Sequence, residues 1–128
     1  MLNLPSLTQL DRGLGVRVYL ATAPTDMRRG FDTLAALVKD FLGHDPLSGH
    51  LFLFVGRSRD RLKILYWEAD GFAIWYKRLE EGTFRVPAVR PERPSVELKA
   101  SELAMLLEGI DLKSIKRSKR FVRAPKDS

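Results

Sequence analysis

The spacing of apolar residues divides the chain into strands and helices. Residues 16–21, VRVYLA, are rich in β-branched and aromatic types and predict a strand. From Phe31 onward, apolar residues recur at offsets of three, four, seven, ten and eleven, as they do on one face of a helix. Thr25 or Asp26 is expected to cap the start of this helix, and Gly43 to end it, because glycine adopts a positive φ at no steric cost.

The second half of the chain follows the pattern of consecutive strands. The continuous apolar run Leu51–Val55, LFLFV, predicts a strand buried on both faces. The next strands are expected at residues 62–67, 72–79 and 83–86, with a brief alternation at 96–98. Ser101 then caps a short helix, SELAMLLEG. Strands joined by short turns indicate an α+β domain: an antiparallel meander of about four to five strands, one long helix on one face and a short C-terminal helix.

The turn Glu68-Ala69-Asp70-Gly71 sets the faces of the predicted hairpin. Odd positions of the first strand pair with even positions of the second if the loop has two residues, Asp70-Gly71, and also if it has four. A bulged three-residue loop breaks this pairing. One face then carries Lys63, Leu65, Trp67, Phe72, Ile74, Tyr76 and Arg78, and the other carries Leu62, Ile64, Tyr66, Ala73, Trp75, Lys77 and Leu79. These aromatic rings fit two interpretations, a sheet core or a base-stacking surface, and the interleaved leucine and isoleucine favour a core.

Charge is distributed unevenly along the 128 residues, which suit a single domain. The net charge is +6, and residues 111–128 hold seven lysines and arginines against two aspartates, so the first 110 residues are nearly neutral. We therefore divide the chain into an N-terminal extension (1–15), a domain (16–110) and a basic tail (111–128) that is expected to be flexible. Such a tail favours polyanions, or is simply a solvated terminus.

Several classes of chemistry lack their signatures in this sequence. There are no cysteines, and no phosphate-loop, dinucleotide-binding or H-E-x-x-H motif indicates a cofactor or a metal. His44 and His50 flank one turn-rich loop, where incidental histidines are a simpler explanation than a metal site with Asp45. Four acidic positions could in principle hold catalytic metal ions, but helix capping and turn formation already explain them: Asp26, Asp32, Glu68 and Asp70. No signal peptide or membrane span is evident, and the absence of cysteines suits a reducing cytoplasm.

Four blocks of the sequence resemble a known family. They are VYLATAPTDMRRGFDTLAALV, DPLSGHLFLF, RDRLKILYWEADGFAIWYKRLEEGTF and ELAMLLEGID, within residues 16–111. The chain is similar to the TnpB accessory protein, the second open reading frame, of insertion-sequence-66 type bacterial transposons. The resemblance implies a protein encoded beside a separate transposase and needed for efficient transposition, with no catalytic residues of its own. It is distinct from the nuclease-type proteins that share the TnpB name, because neither a carboxylate nuclease core nor a zinc ribbon is present.

The cations lead to a function hypothesis. Those around the hairpin should lie at one end of it, and two arginines precede the long helix, where an anion is favoured. The predicted nucleic-acid-binding residues are Arg28, Arg29, Arg57, Arg59, Arg61, Lys63, Lys77, Arg78, Lys116, Arg117, Lys119 and Arg120. We expect DNA and the transposase of the same element as partners. In the alternative hypothesis, the protein docks on the transposase without touching DNA, with Trp67 and Trp75 as anchors.

Overall fold

One five-stranded sheet organises the part of the chain that the structure describes. The structure, a computed structural model, describes residues 15–87 and 92–108. The strands are β1 (Val18–Ala21), β2 (Leu51–Val55), β3 (Arg61–Glu68), β4 (Gly71–Arg78) and β5 (Ser95–Leu98), in the spatial order β4-β3-β2-β1-β5. Helix α1 is α-helical over Phe31–Ala36 and π-helical over Leu37–Leu42, and helix α2 spans Ala100–Glu108. The combination of one sheet and two helices confirms the predicted α+β class.

The antiparallel meander is correct only for β2, β3 and β4. Strands β1 and β2 are parallel, with Val18 opposite Leu51, and β5 pairs antiparallel with β1 at the far edge. The prediction was wrong for β1 because the chain returns from β1 to β2 through α1, and a helical crossover is the connection that parallel neighbours need. Residues 83–86 are not a strand either, since the Phe84 N–H donates to the Arg59 carbonyl (2.7 Å).

The hairpin adopts the predicted grouping of faces. Trp67 lies opposite Phe72, and Lys63 lies opposite Tyr76, so odd positions of β3 pair with even positions of β4. This register is the one that the four-residue alternative gives, and the added pair of Glu68 with Gly71 shortens the loop to Ala69 and Asp70.

Helix α1 differs from the predicted helix at its start and in its second half. It begins at Phe31, after Gly30, whose N–H donates to Thr33 Oγ1 (3.1 Å), so neither Thr25 nor Asp26 caps it. The wider π turn keeps residues four apart on one side, and the buried residues are Leu34, Val38 and Leu42. Phe31 and Phe41, expected on the buried stripe, are 49% and 58% exposed. Gly43 ends the helix at φ 73°, as predicted.

Both faces of the sheet are covered, one by α1 and the other by α2 with the segment after β4. Helix α1 buries one face with Phe52, Phe54 and Leu65 of the sheet beneath it. On the other face, α2 contributes Leu103 and Leu106, and the segment after β4 contributes Leu79 and Phe84. All five residues of β2, the central strand, are buried, as its continuous apolar run predicted. Ser101 lies inside α2 and is not its cap, because Glu102 Oε1 accepts the Lys99 N–H (2.8 Å) ahead of the first turn.

Candidate nucleic-acid interface

The topology brings several chain segments to one end of the sheet. This end, which we call the basic end, comprises residues 22–30 after β1, 56–61 from the end of β2 to the start of β3, 77–81 at the end of β4, and 92–95 at the start of β5. These ranges contain eight lysines and arginines, namely Arg28, Arg29, Arg57, Arg59, Arg61, Lys77, Arg78 and Arg93. They also contain five acidic residues, namely Asp26, Asp60, Glu80, Glu81 and Glu92.

A tight turn between β2 and β3 presents two of these arginines to solvent. The Gly56 N–H donates to the Arg61 carbonyl (3.0 Å), and the Arg59 N–H donates to the Gly56 carbonyl (2.9 Å). Arg59 takes a left-handed conformation at φ 64°, and Ser58 Oγ donates to Asp60 Oδ1. The side chains of Arg57 and Arg59 are exposed. The turn itself is thus fixed by backbone bonds, while its guanidinium groups point outward.

The segment after β1 docks against this turn. The Thr25 N–H donates to the Val55 carbonyl at the end of β2 (2.9 Å). The approach is close, because a Cβ at Gly56 would lie 2.9 Å from Met27 Cγ. An open cleft of about 560 Å³ lies between the two loops. It is lined by Pro24, Thr25, Asp26, Met27, Gly56, Arg57, Ser58 and Arg61.

Arg28 forms an ion pair within its own turn. Its Nη2 lies 2.8 Å from Asp26 Oδ2, its Nε donates to the same carboxylate, and its backbone N–H donates to Asp26 Oδ1 (2.9 Å). The hydrogen bonds from Arg28 hold the pKa of Asp26 well below its usual range. Asp26 therefore stays ionised at neutral pH and offsets the charge of Arg28, although both groups remain accessible to solvent.

Two arginines oppose each other where β3 begins and β4 ends. Arg61 and Arg78 are cross-strand partners. The Arg61 carbonyl accepts its bond from Gly56 on the β2 side, which makes this a non-hydrogen-bonded pair, the closer kind with Cα atoms about 4.5 Å apart. Like charges in this position repel each other. Only Arg78 has a compensating partner among the described residues, Glu80 Oε2 at 3.2 Å.

Lys63 stabilises the fold and also adds positive charge to the sheet face opposite α2. Its Nζ donates to the Arg29 carbonyl (2.8 Å) and lies 4.9 Å from the centre of the Tyr76 ring. These interactions tie β3 to the turn that precedes α1 and hold the ammonium group in place. Lys77 has the opposite orientation, since it pairs with Leu62 on the α2 face. Lys63 and Lys77 therefore lie on opposite faces of the hairpin.

Six of the predicted cations have no ion pair in the described part of the chain: Arg29, Arg57, Arg59, Arg61, Lys63 and Lys77. All of them except Lys63 are exposed. The opposite end of the sheet has the reverse balance. Residues 15–17, 43–50, 68–71 and 97–99 hold two lysines and arginines against four acidic residues. The described domain is thus electrically polar along its strands, although its net charge is small.

The two tryptophans proposed as anchors are both half-buried. Trp67 meets Phe72 edge to face, with ring centres 5.1 Å apart, on the α1 face near the acidic hairpin turn. Trp75 packs against the core on the α2 face. Trp67 therefore has the freer surroundings of the two, and Trp75 contributes to packing.

Comparison with known proteins assigns the family. The family model described as IS66 Orf2 like protein matches residues 16–117. Two curated relatives come from Sinorhizobium fredii, both named as uncharacterised proteins. The protein y4hO is 41% identical over 102 residues, which cover 80% of this chain and 87% of the relative, and y4jC is 37% identical over 103 residues, which cover 80% and 86%. This chain belongs to the IS66 Orf2-like family. No solved structure matches it.

Membership in the IS66 Orf2-like family indicates an accessory role in transposition, in a family that is not known for catalysis. The matched residues contain every described strand and helix, so the basic end lies within the family's common region. The match to residue 117 also extends into the basic tail. The tail cations Lys116, Arg117, Lys119 and Arg120 lie outside the described residues.

The histidines and acidic residues that were considered for metal binding lie in surroundings that favour a structural role. The His44 ring packs against Tyr19 in a tilted arrangement (ring centres 4.0 Å apart), and His50 Nδ1 accepts the Arg17 N–H (3.0 Å). Burial and the nearby Arg17 lower the pKa of His50. Within residues 15–87 and 92–108, no group of three or more histidine or acidic side chains could hold a metal ion. No helix in those same ranges is long and apolar enough to cross a bilayer.

Two features, Arg93 in the basic end and the exposed Tyr76 beside it, are absent from the sequence prediction. Arg93 joins the basic end because β5 pairs with β1, and the Arg93 carbonyl accepts a bond from Thr22 Oγ1. The strand-helix-strand order of β1, α1 and β2 was the available signal for a parallel pair, which would have placed residues 22–30 beside residues 56–61. Tyr76 is 48% exposed, although it belongs to the face that α1 covers. Edge position explains this exposure, since β4 is the last strand of the sheet.

Proposed function

We propose that this protein serves transposition by holding DNA phosphates at the basic end of its sheet. The observation that carries the proposal is the grouping of Arg57, Arg59 and Arg61, exposed and without ion pairs in the described residues, on one tight turn. Guanidinium groups bind phosphate oxygens through paired N–H donors, and such bonds fix a protein on a duplex without reading its sequence.

The repulsion between Arg61 and Arg78 supports an anionic ligand. Folding brings these two side chains together although their charges oppose it. A phosphate between them would convert the repulsion into two favourable interactions, in the way that phosphate binding neutralises clustered cations elsewhere. The Arg78–Glu80 pair is exposed at both members, so a phosphate can compete for Arg78 at little cost.

The polarity of the domain favours one orientation on DNA. The acidic end is repelled by phosphates and the basic end is attracted, which steers the encounter before the two molecules touch. The predicted tail residues Lys116, Arg117, Lys119 and Arg120 add sequence-independent affinity in this proposal. We expect duplex DNA to bind mainly through its backbone.

A salt titration with matched variants tests the proposal. Arg57→Gln with Arg59→Gln removes two exposed charges from the basic end, and Lys39→Gln with Lys99→Gln removes two exposed charges from elsewhere. Affinity for duplex DNA should fall linearly on a log–log plot against salt, and the slope should decrease by about 0.9 for each phosphate that a variant no longer neutralises. We expect the arginine variant to bind more weakly and with a smaller slope, and the lysine variant to match the unaltered protein.

Two results would overturn DNA binding by the basic end. One is the absence of any binding to duplex or single-stranded DNA at low salt. The other is an equal effect of the arginine and lysine variants, because that would make the contribution one of net charge rather than of this end.

A second candidate function is docking on the transposase of the same element. It is favoured by the half-buried Trp67 and its edge-to-face packing on Phe72, since aromatic residues concentrate binding energy at protein interfaces. Capture of purified transposase without nucleic acid, compared between the unaltered protein and Trp67→Ala, tests it. Capture that Trp67→Ala abolishes but Arg57→Gln with Arg59→Gln retains supports docking. Capture by none of these proteins, or by all of them, removes Trp67 as the anchor.

A further inference from the structure

Within the residues that the structure describes, strand β4 is a long edge strand with no partner on its outer side. It has eight residues and pairs only with β3 among the described strands. Its sequence contains no proline, and its register with β3 is continuous from Arg61–Arg78 to Glu68–Gly71, without a bulge. The opposite edge strand, β5, has four residues and follows Pro94. Proteins usually shorten, bend or block an exposed strand edge, because it offers a row of unpaired backbone groups to another strand.

The register identifies which backbone groups face outward. The Leu79 N–H donates to the Asp60 carbonyl (2.7 Å), so hydrogen-bonded pairs of the hairpin involve odd-numbered residues of β4. Bonds alternate along an antiparallel pair, and the even-numbered residues therefore direct their N–H and C=O groups away from β3. The outward residues are Phe72, Ile74, Tyr76 and Arg78.

We propose that two copies of this chain associate through β4, antiparallel and about a two-fold axis, to form a continuous sheet of ten strands. In the register centred on Ile74, the Ile74 residues of the two copies face each other. Phe72 of each copy then faces Tyr76 of the other. Asp70 of the hairpin turn then faces Arg78. Antiparallel pairs of aromatic residues and of opposite charges are each stabilising in this position.

Charge complementarity argues for a second copy as the occupant. The acidic turn (Glu68 and Asp70) precedes β4, and Lys77 and Arg78 end it. A copy that lies antiparallel brings its acidic turn to the cations of the first, and the symmetry repeats the match at the other end. A parallel copy would place like charges together. The proposed dimer does not depend on DNA binding. In the dimer, the basic ends of the two copies would lie at opposite ends.

A charge exchange tests this arrangement by sedimentation equilibrium of the full chain over a range of concentrations, without DNA. Arg78→Asp places two acidic groups opposite each other, and Asp70→Arg places two arginines opposite each other. Both positions are exposed, so the fold should tolerate the changes. Each single variant should raise the dissociation constant of the dimer by roughly tenfold, because the axis repeats the broken pair. The double variant, with the charges exchanged, should restore the dissociation constant of the unaltered protein.

The rescue separates strand pairing from other routes to a dimer. Restoration in the double variant supports the β4 interface in the stated register. A monomer at every attainable concentration overturns the proposal. So does a dimer that the single variants leave intact, or one that the double variant fails to restore.

Discussion

At the scale of single residues, Gly56 determines how closely the two loops of the basic end approach. It is buried, and a Cβ at this position would lie 2.9 Å from Met27 Cγ, too close without a shift of the methionine. We expect Gly56→Ala to lower the free energy of unfolding by about 1 kcal/mol, since Met27 is flexible and gives way in part. Urea unfolding measures the change.

The matched control for Gly56→Ala is Gly71→Ala. A Cβ at Gly71 meets no atom within 4 Å, and its φ is not positive. We expect this control to leave the free energy of unfolding nearly unchanged. Equal effects at the two positions would show that the approach of Met27 is not what restricts residue 56.

The predicted cations show what a sequence can and cannot establish about a site. The clustering of arginines at residues 57–61 could be predicted, because the turn and the flanking strands follow from local sequence patterns. The partners of the individual cations could not be predicted. Lys63 donates to the carbonyl of Arg29, 34 residues away. Arg28 is held by Asp26, whose expected role was that of a helix cap. Such partners depend on how the segments pack.

At the scale of elements, the sequence predicted most strands and both helices but not how they connect in space. The apolar run of β2 and the alternation of β3 and β4 are local, and their boundaries agree with prediction within one residue. The parallel pairing of β1 and β2 joins strands 33 residues apart in register. The π-helical turn was not predicted, because its exposed Phe41 has the same spacing as a buried residue.

The short helix α2 matters for stability because it covers one sheet face, together with the segment after β4. Leu103 is almost fully buried against that face. We expect Leu103→Ala to destabilise the protein by about 2–5 kcal/mol, because it removes apolar packing and leaves a cavity. Leu47→Ala is the matched change at a residue that is 52% exposed, and it should fall within about 0.5 kcal/mol of the unaltered protein. Thermal or urea unfolding compares the two. A small effect at Leu103 would show that α2 does not stabilise the sheet.

At the scale of the whole molecule, two sources of positive charge serve the proposed function differently. The basic end belongs to a domain whose first 110 residues are nearly neutral, whereas most of the net charge of +6 lies in residues 111–128. A grouped set of arginines fixes an orientation on DNA, and a charged segment supplies affinity that depends mainly on counterion release. Substitutions in the basic end and in residues 111–128 should therefore have separable effects on DNA binding.

Neutralising the tail tests this division. Changing Lys116, Arg117, Lys119 and Arg120 together to glutamine removes four charges and leaves the basic end intact. We expect the salt slope of duplex binding to fall by about 0.9 for each phosphate that the tail had neutralised, and the remaining binding still to require Arg57 and Arg59. A slope that stays at its full value would mean that the tail does not touch phosphates. If Arg57→Gln with Arg59→Gln leaves the affinity and the salt slope of this tail variant unchanged, the sheet end has no part in holding DNA.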